Sequence, residues 1–99
     1  MNIGRAIRLC RSQRRLTQSE LSARSGLSVS FLSMIEKGQR DPALSSLEAT
    51  AKGLEVPLNI LMFLAAEKDE LVGMSDELKE KLSKATLELL KEPTSGYLL

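Results

Sequence analysis

The sequence predicts an all-α protein of five compact helices with an additional helix towards the C-terminus. Apolar residues recur at helical spacing, and no stretch keeps the apolar–polar alternation of a strand. Helix-capping residues and glycines separate the helical segments. Ninety-nine residues suit one domain, and its core has to be aliphatic because there are two Phe, one Tyr and no Trp.

The first helix is predicted from an asparagine cap and an apolar stripe. Asn2 precedes a segment that remains helical to about Arg14. Ile3, Ile7 and Cys10 lie on the inner face of this segment. A cysteine within such a stripe is usually a small buried residue, so we do not expect Cys10 to be a reactive thiol.

Two short helices follow in quick succession. Thr17 and Glu20 have the T-x-x-E spacing of a capping box, which begins the second helix. Gly26 ends that helix, because glycine readily adopts the left-handed conformation that follows a helix. Ser28 caps a third helix, which ends just before Gly38.

The fourth and fifth helices are separated by glycine and proline. We expect the fourth helix from about Ser45 to Lys52, stopped by Gly53. Pro57 suits the first turn of the fifth helix, which extends to about Ala66.

A sixth helix begins at the cap Ser75 and ends before Pro93, which leaves residues 94–99 as a frayed tail. Its apolar residues follow the 4-3-4 spacing of a helix–helix seam, which suits dimerisation, with packing on its own domain as the alternative. The seam consists of Leu78, Leu82, Ala85 and Leu89.

The composition excludes most kinds of catalysis and metal binding. The chain has no histidine, which removes the commonest general base and most zinc sites. Cys10 is the single cysteine, so it has no partner for a disulfide within the chain. We therefore predict no enzymatic activity, no cofactor and no metal site.

The N-terminus and the apolar runs indicate a soluble cytoplasmic protein. Residues 1–11 are charged and lack the apolar segment of a signal peptide. The longest apolar run, Ile60 to Ala66, has seven residues, whereas a membrane helix needs roughly 20.

The net charge of +1 conceals two unlike halves. Residues 1–53 hold nine Lys and Arg against four Asp and Glu, while residues 54–99 hold five against nine. All seven arginines lie within the first forty residues. A basic half of this kind indicates a surface that faces a polyanion.

The second and third helices meet the requirements of a helix-turn-helix. In this motif two helices cross steeply over a short turn, and the second enters the major groove of DNA. The crossing needs a small residue and the turn needs a glycine, which Ser22 and Gly26 supply. Leu21 on the second helix supplies an apolar contact, as do Leu32 and Ile35 on the third.

At these positions the sequence resembles the phage-repressor-like helix-turn-helix family, also described as Cro/repressor or XRE type. The likeness spans residues 16–58. It departs from the family at Arg15, where glycine is common, and at Ser22, where alanine is common. The matching positions are Thr17, Gln18, Leu21, Gly26, Ser30, Leu32, Ile35, Glu36, Gly38, Pro42, Leu47, Leu54 and Pro57.

The resemblance implies a five-helix DNA-binding domain over residues 1–66 that binds double-stranded DNA as a homodimer. It implies a transcriptional regulator of a prokaryote or a phage. Repression by occluding a promoter is the simplest mechanism, because the sequence shows no acidic activation segment. A twofold dimer presents its two DNA-reading helices about 34 Å apart, so the operator is expected to be pseudo-palindromic. The resemblance does not cover residues 67–99, which we assign to a C-terminal helix and tail that serve dimerisation.

The expected DNA contacts lie on the third helix and its flanks. Val29 and Met34 are apolar yet face outward, which suits thymine methyl groups, and the outward serines can bond to a base or a phosphate. No Arg, Gln or Asn lies on this face, so readout of DNA shape is expected to contribute. The expected contacts are Thr17, Gln18, Ser28, Val29, Ser30, Ser33, Met34, Lys37, Gln39 and Arg40.

The resemblance also implies roles for residues beside this face. Arg11 and Glu36 occupy the positions of a structural ion pair, and Phe31 is expected to be mainly core, with contact to the DNA backbone as the alternative. Lesser phosphate contacts, with ordinary solvated charge as the alternative, are expected from Arg8, Arg14, Arg15 and Arg24.

Dimerisation is expected through the last two helices. The fifth helix is apolar on nearly every side, and in the family this helix commonly lies at the dimer interface. The expected interface residues are Leu58, Leu61, Met62, Leu78, Leu82 and Leu89.

Other functions remain open at this point. An antitoxin-type module would hold a protein partner through its C-terminal region and use DNA binding for autoregulation. A restriction–modification controller has the same size. RNA binding is less favoured, because the basic half lacks aromatic residues for stacking bases.

Overall fold

Residues 1–67 and 75–91 are described in the computed structural model, and they form six α-helices. The helices are α1 (Ile3–Gln13), α2 (Gln18–Ser25), α3 (Val29–Glu36), α4 (Leu44–Leu54), α5 (Leu58–Ala65) and α6 (Asp76–Lys91). No strand occurs within these two ranges, and none of their helices is long and apolar enough to cross a bilayer. The predicted tail, residues 94–99, lies outside the described residues.

Local capping chemistry begins four of the helices, as predicted. The Thr17 hydroxyl accepts a hydrogen bond from the Glu20 backbone N–H at 3.1 Å, and the Glu20 carboxylate accepts one from the Thr17 N–H at 3.0 Å. The latter bond lowers the pKa of Glu20, because it stabilises the charged carboxylate. The four side-chain caps are Asn2, Thr17, Ser28 and Ser75.

The prediction that Gly53 stops α4 was wrong. The helix continues to Leu54 and ends where Glu55 adopts a left-handed conformation with a φ of +58°. Gly53 is buried instead against α2, where an added Cβ would lie 3.0 Å from Cδ1 of Leu21 and 3.3 Å from Cβ of Ser25. This glycine therefore lets α2 and α4 pack closely.

The core is aliphatic, as the composition requires. α1 lies along α5, α2 lies along α4, and α3 contacts both α1 and α2. Cys10 is part of this core, and burial raises the pKa of its thiol to about 11, so the thiol stays protonated and unreactive at neutral pH. The core consists of Ala6, Ile7, Cys10, Leu16, Leu21, Leu32, Ile35, Ala51, Leu54, Val56, Ile60, Leu61 and Ala65.

The C-terminal helix packs on its own domain, but not through the whole predicted seam. α6 contacts α5, and Leu82 packs against the core. Thr86 is buried beside it. The Thr86 hydroxyl is nevertheless hydrogen-bonded, because it donates to the Leu82 carbonyl at 2.7 Å. Leu78 and Ala85 are exposed, and the side chain of Leu89 lies outside the description.

The fifth helix is more buried within the domain than the sequence suggested. Leu61 is fully buried in the core, so it does not lie on a surface that a partner can reach, contrary to its expected interface role. Leu58 and Met62 remain partly exposed. α5 contacts three helices, α1, α4 and α6, which accounts for its nearly uniform apolar sequence.

Gly4 lies where α1 and α3 approach each other closely. A Cβ on this residue would lie 2.5 Å from the Ile35 carbonyl oxygen and 2.7 Å from that of Glu36. Both atoms belong to the backbone at the end of α3 and cannot move aside as a side chain does. The sequence signal was a glycine on the inner side of a predicted helix, where close approach is the usual reason for glycine.

We predict that Gly4→Ala lowers the free energy of unfolding by about 1–3 kcal/mol, the cost of overpacking a tight contact. In an unobstructed helix the same change would instead stabilise by about 1 kcal/mol. Chemical denaturation measures the difference. Gly53→Ala is the matched comparison, and it should cost less because the first atom that its methyl meets is a side-chain carbon of Leu21. A Gly4→Ala protein at least as stable as the wild type would contradict the packing described.

Candidate nucleic-acid interface

The turn between α2 and α3 is fixed by hydroxyl groups as well as by glycine. Gly26 ends α2 with a φ of +77°, a conformation that favours glycine. The Ser22 hydroxyl donates to the Leu27 carbonyl at 2.6 Å, and the Ser25 hydroxyl accepts from the Leu27 N–H at 3.2 Å. Serine in place of the common alanine at Ser22 therefore adds a hydrogen bond that closes the turn.

The third helix has one buried face and one open face. Leu32 and Ile35 point into the core, as predicted. On the other side Val29 is 39% exposed and Ser30 is exposed. The remaining two predicted contact residues on this helix, Ser33 and Met34, are half-buried. The open face therefore presents small polar and apolar groups and no charge.

Two predicted contact residues at the helix starts also serve as caps. The Thr17 hydroxyl caps α2, and the Ser28 hydroxyl accepts from the Phe31 N–H at 3.1 Å to cap α3. Each hydroxyl keeps its proton, so it can still donate one hydrogen bond outward. Gln18, the first residue of α2, is half-buried.

The loop after α3 presents polar and cationic side chains from a restrained backbone. Gly38 has a φ of +73°, and its N–H donates to the Ile35 carbonyl at 3.0 Å. The Gln39 N–H donates to the Met34 carbonyl at 2.9 Å. The side chains of Lys37, Gln39 and Arg40 are exposed on this turn.

Phe31 lies between the core and the solvent. Its ring is partly buried and packs against the hydrophobic core, which agrees with its expected role. The Arg40 guanidinium carbon lies 5.3 Å from the ring centroid, a contact that the sequence did not predict. No short-range pattern indicates it, because nine positions separate the two residues.

An ion pair joins α1 to the end of α3. Arg11 Nε and Nη2 each donate to a carboxylate oxygen of Glu36 at 2.9 Å, which makes the pair bidentate. Arg11 Nη1 also donates to the Leu16 carbonyl at 3.0 Å, so the same side chain holds the loop before α2. The side chains of Arg11 and Glu36 are 22% and 3% exposed, respectively.

Arg14 is not available to a polyanion, contrary to its expected role. It is 4% exposed, and it donates to the Leu54 carbonyl at 3.1 Å and to the Glu55 carbonyl at 3.0 Å. A cation at this end of α4 is favoured by the helix dipole. Arg14 extends the inner stripe of α1 four residues beyond Cys10, and this spacing was the available sign that it faces inward.

The other expected lesser cations, Arg8, Arg15 and Arg24, are exposed. Arg15 adopts a left-handed conformation with a φ of +55°. A residue with a side chain is strained by of order 1–3 kcal/mol in this region, whereas glycine is not. This conformation explains why the family commonly has glycine here.

Comparison with known proteins identifies the helix-turn-helix in this chain. A family model described as helix-turn-helix matches residues 6–61. The chain is 29% identical to an immunity repressor protein of Bacillus phage phi105, over 96% of this chain and 75% of that protein. It is 33% identical to an uncharacterized HTH-type transcriptional regulator, y4dL of Sinorhizobium fredii, over 84% of this chain.

A third relative is the HTH-type transcriptional repressor RghR of Bacillus subtilis, 33% identical over 70% of this chain. The chain spans about half the length of the last two relatives, 48% of y4dL and 52% of RghR.

For the ion pair we predict unequal effects of removing its two members. Arg11→Met strands a carboxylate that is 3% exposed and should cost about 3–5 kcal/mol of unfolding free energy. Glu36→Leu should cost less, because Arg11 keeps its bond to the Leu16 carbonyl and is 22% exposed to water. The double variant should recover most of the loss. Urea denaturation of the three variants gives the double-mutant cycle, and additive single effects would exclude a direct coupling.

Proposed function

We propose that this chain, which belongs to the phage-repressor-like, XRE-type helix-turn-helix family of transcriptional regulators, is a sequence-specific repressor that binds a pseudo-palindromic operator as a homodimer. The observation that carries the proposal is the open face of α3, which is uncharged and flanked by exposed cations. The names of two relatives, a phage immunity repressor and the repressor RghR, support repression rather than activation.

The open face of α3 suits the major groove of DNA. Solvent alone does not favour the exposed valine Val29, whereas a thymine methyl group is an apolar partner for it. Ser30 and Ser33 can donate to or accept from base edges, and Met34 adds a second apolar contact. Because bidentate readers are absent from this face, shape and deformability of the site contribute to specificity.

The flanks of α3 suit phosphate groups. Lys37, Gln39 and Arg40 follow α3 on an exposed turn, and Thr17 and Gln18 begin α2 on the other flank. Phosphate contacts fix the orientation of a protein on the duplex without reading its sequence. In the proposed complex they hold α3 in the groove.

The proposed dimer uses the exposed edge of α6 together with α5. Leu78 is 46% exposed, and Ala85, which is also exposed, lies two turns further along the same side of the helix. Leu58 and Met62 of α5 are partly exposed, and Leu82 is shared with the core of its own domain. Two copies related by a twofold axis would bury these residues against each other.

The proposal as a whole is tested by selecting duplexes from a random-sequence library with the wild-type protein and footprinting the selected sites. We expect paired half-sites one helical turn apart. Binding that non-specific competitor DNA abolishes would contradict sequence-specific recognition.

We predict that two variants at the interface have different effects on binding. Lys37→Ala should weaken binding to all duplexes alike and reduce the salt dependence by about 0.9 log units per log unit of salt for each protomer, because one phosphate contact is lost. Val29→Ala should relax the preference for thymine at one position by about 1 kcal/mol, the value of roughly one buried methylene. Fluorescence anisotropy titrations at several salt concentrations measure both effects.

Deoxyuridine provides the matched control for Val29, because it lacks only the 5-methyl group of thymidine. Replacing the contacted thymidine should weaken wild-type binding and leave Val29→Ala binding unchanged. Equal losses for both proteins would show that Val29 does not contact this methyl group.

For the dimer we predict that Leu78→Glu shifts the protein to monomers in sedimentation equilibrium, raising the dissociation constant at least tenfold, because a charge would be buried without a partner. Leu87→Glu is the matched control. Leu87 is 61% exposed on the opposite side of α6, since nine residues make two and a half turns. Equal behaviour of the two variants would argue against the Leu78 edge as the interface.

A further inference from the structure

The Phe31 ring and the Arg40 guanidinium are in contact, and this contact restricts where the Arg40 side chain points. The guanidinium carbon is 5.3 Å from the ring centroid, within the roughly 6 Å over which an aromatic face attracts a cation. The ring packs partly against the hydrophobic core, so its orientation is constrained by the fold. The Arg40 guanidinium therefore lies against a ring whose orientation is constrained by the core.

The backbone that carries Arg40 is also restrained. The two preceding residues, Gly38 and Gln39, each donate a backbone hydrogen bond to a carbonyl of α3, at 3.0 and 2.9 Å. The start of the Arg40 side chain is thus fixed relative to α3. The rotations within that side chain are the remaining freedom, and the ring limits them.

The contact leaves the hydrogen-bonding capacity of Arg40 in place. Arg has five N–H donors, and an aromatic ring offers them no conventional hydrogen-bond acceptor. Within residues 1–67 and 75–88, Arg40 takes part in no salt bridge. Its charge and donors can therefore meet a phosphate without first breaking a bond to a carboxylate.

We propose that Phe31 is a positioning residue for DNA binding, whose ring holds Arg40 beside α3 in the arrangement that meets a backbone phosphate. The inference rests on the proposed DNA-binding function. A free arginine loses much of its rotamer freedom on binding, and a side chain that is already restricted loses less. Phe31 raises the affinity through Arg40, without itself contacting the DNA.

The test compares variants of Phe31 in two backgrounds, using the duplex selected by the wild-type protein. Phe31→Leu keeps an apolar side chain but removes the aromatic face, and it should weaken binding about two- to fivefold, the size expected for one exposed cation–π contact. Phe31→Tyr keeps the face and should bind within about twofold of the wild type. In the Arg40→Gln background, Phe31→Leu should have no further effect, because the cation is absent. Circular dichroism confirms that each variant is folded at the temperature of the titration.

The outcomes separate this inference from the proposed function. Failure of the wild-type protein to bind any duplex would contradict the proposed function itself. Wild-type binding with an equal loss from Phe31→Leu in both backgrounds would overturn the inference, since Phe31 would then act through the core alone. Wild-type binding that Arg40→Gln leaves unchanged would overturn it as well.

A measurement on the free protein provides a readout that does not depend on DNA. Protons over an aromatic face are shifted upfield in NMR spectra by the ring current, so the Arg40 δ-methylene protons should be shifted in the wild type and in Phe31→Tyr. Phe31→Leu should abolish the shift. Arg40 resonances at random-coil positions in the wild type would overturn the inference.

Discussion

The contact between α1 and the C-terminal end of α3 is the constraint on which the rest of the structure depends. Gly4 lets the α1 backbone approach the last carbonyls of α3. Two turns further along α1, Arg11 forms a bidentate ion pair with Glu36. Both contacts hold the last turn of α3 against α1, and the burial of Leu32 and Ile35 directs one face of α3 into the core. The rotation of α3 decides which residues form its open face, so these contacts set the surface that we assign to DNA.

Close approach compensates for the scarcity of large side chains. The chain has two Phe and no Trp, and glycines lie where α1 meets α3 and where α2 meets α4. A glycine at a crossing brings the two helices nearer, which allows medium-sized aliphatic residues to interdigitate at native density. The glycines thereby allow a close-packed core that has few aromatic side chains.

The sequence revealed features with local causes and missed those with tertiary causes. The caps at Thr17 and Ser28 were predictable, because capping depends on residues three positions apart. The role of Gly53 was predicted wrongly, because the sequence does not distinguish a glycine that ends a helix from one that lets another helix pack closely. Leu61 was misassigned because an apolar helix does not reveal which neighbours cover it. For the candidate interface, the open face of α3 was predictable from helical periodicity, whereas the contact of Arg40 with Phe31 required coordinates.

The composition overstates the charge that the basic half offers to DNA. Of the nine Lys and Arg in residues 1–53, Arg11 is neutralised by Glu36 and Arg14 is buried against the carbonyls that end α4. In the proposed complex residues 1–53 therefore supply at most seven exposed cations per protomer, each adding about 0.9 log units to the salt dependence where it neutralises a phosphate. A smaller electrostatic share leaves more of the affinity to the uncharged face of α3. Such contacts weaken less with salt and depend more on sequence, which suits the proposed recognition of a specific operator.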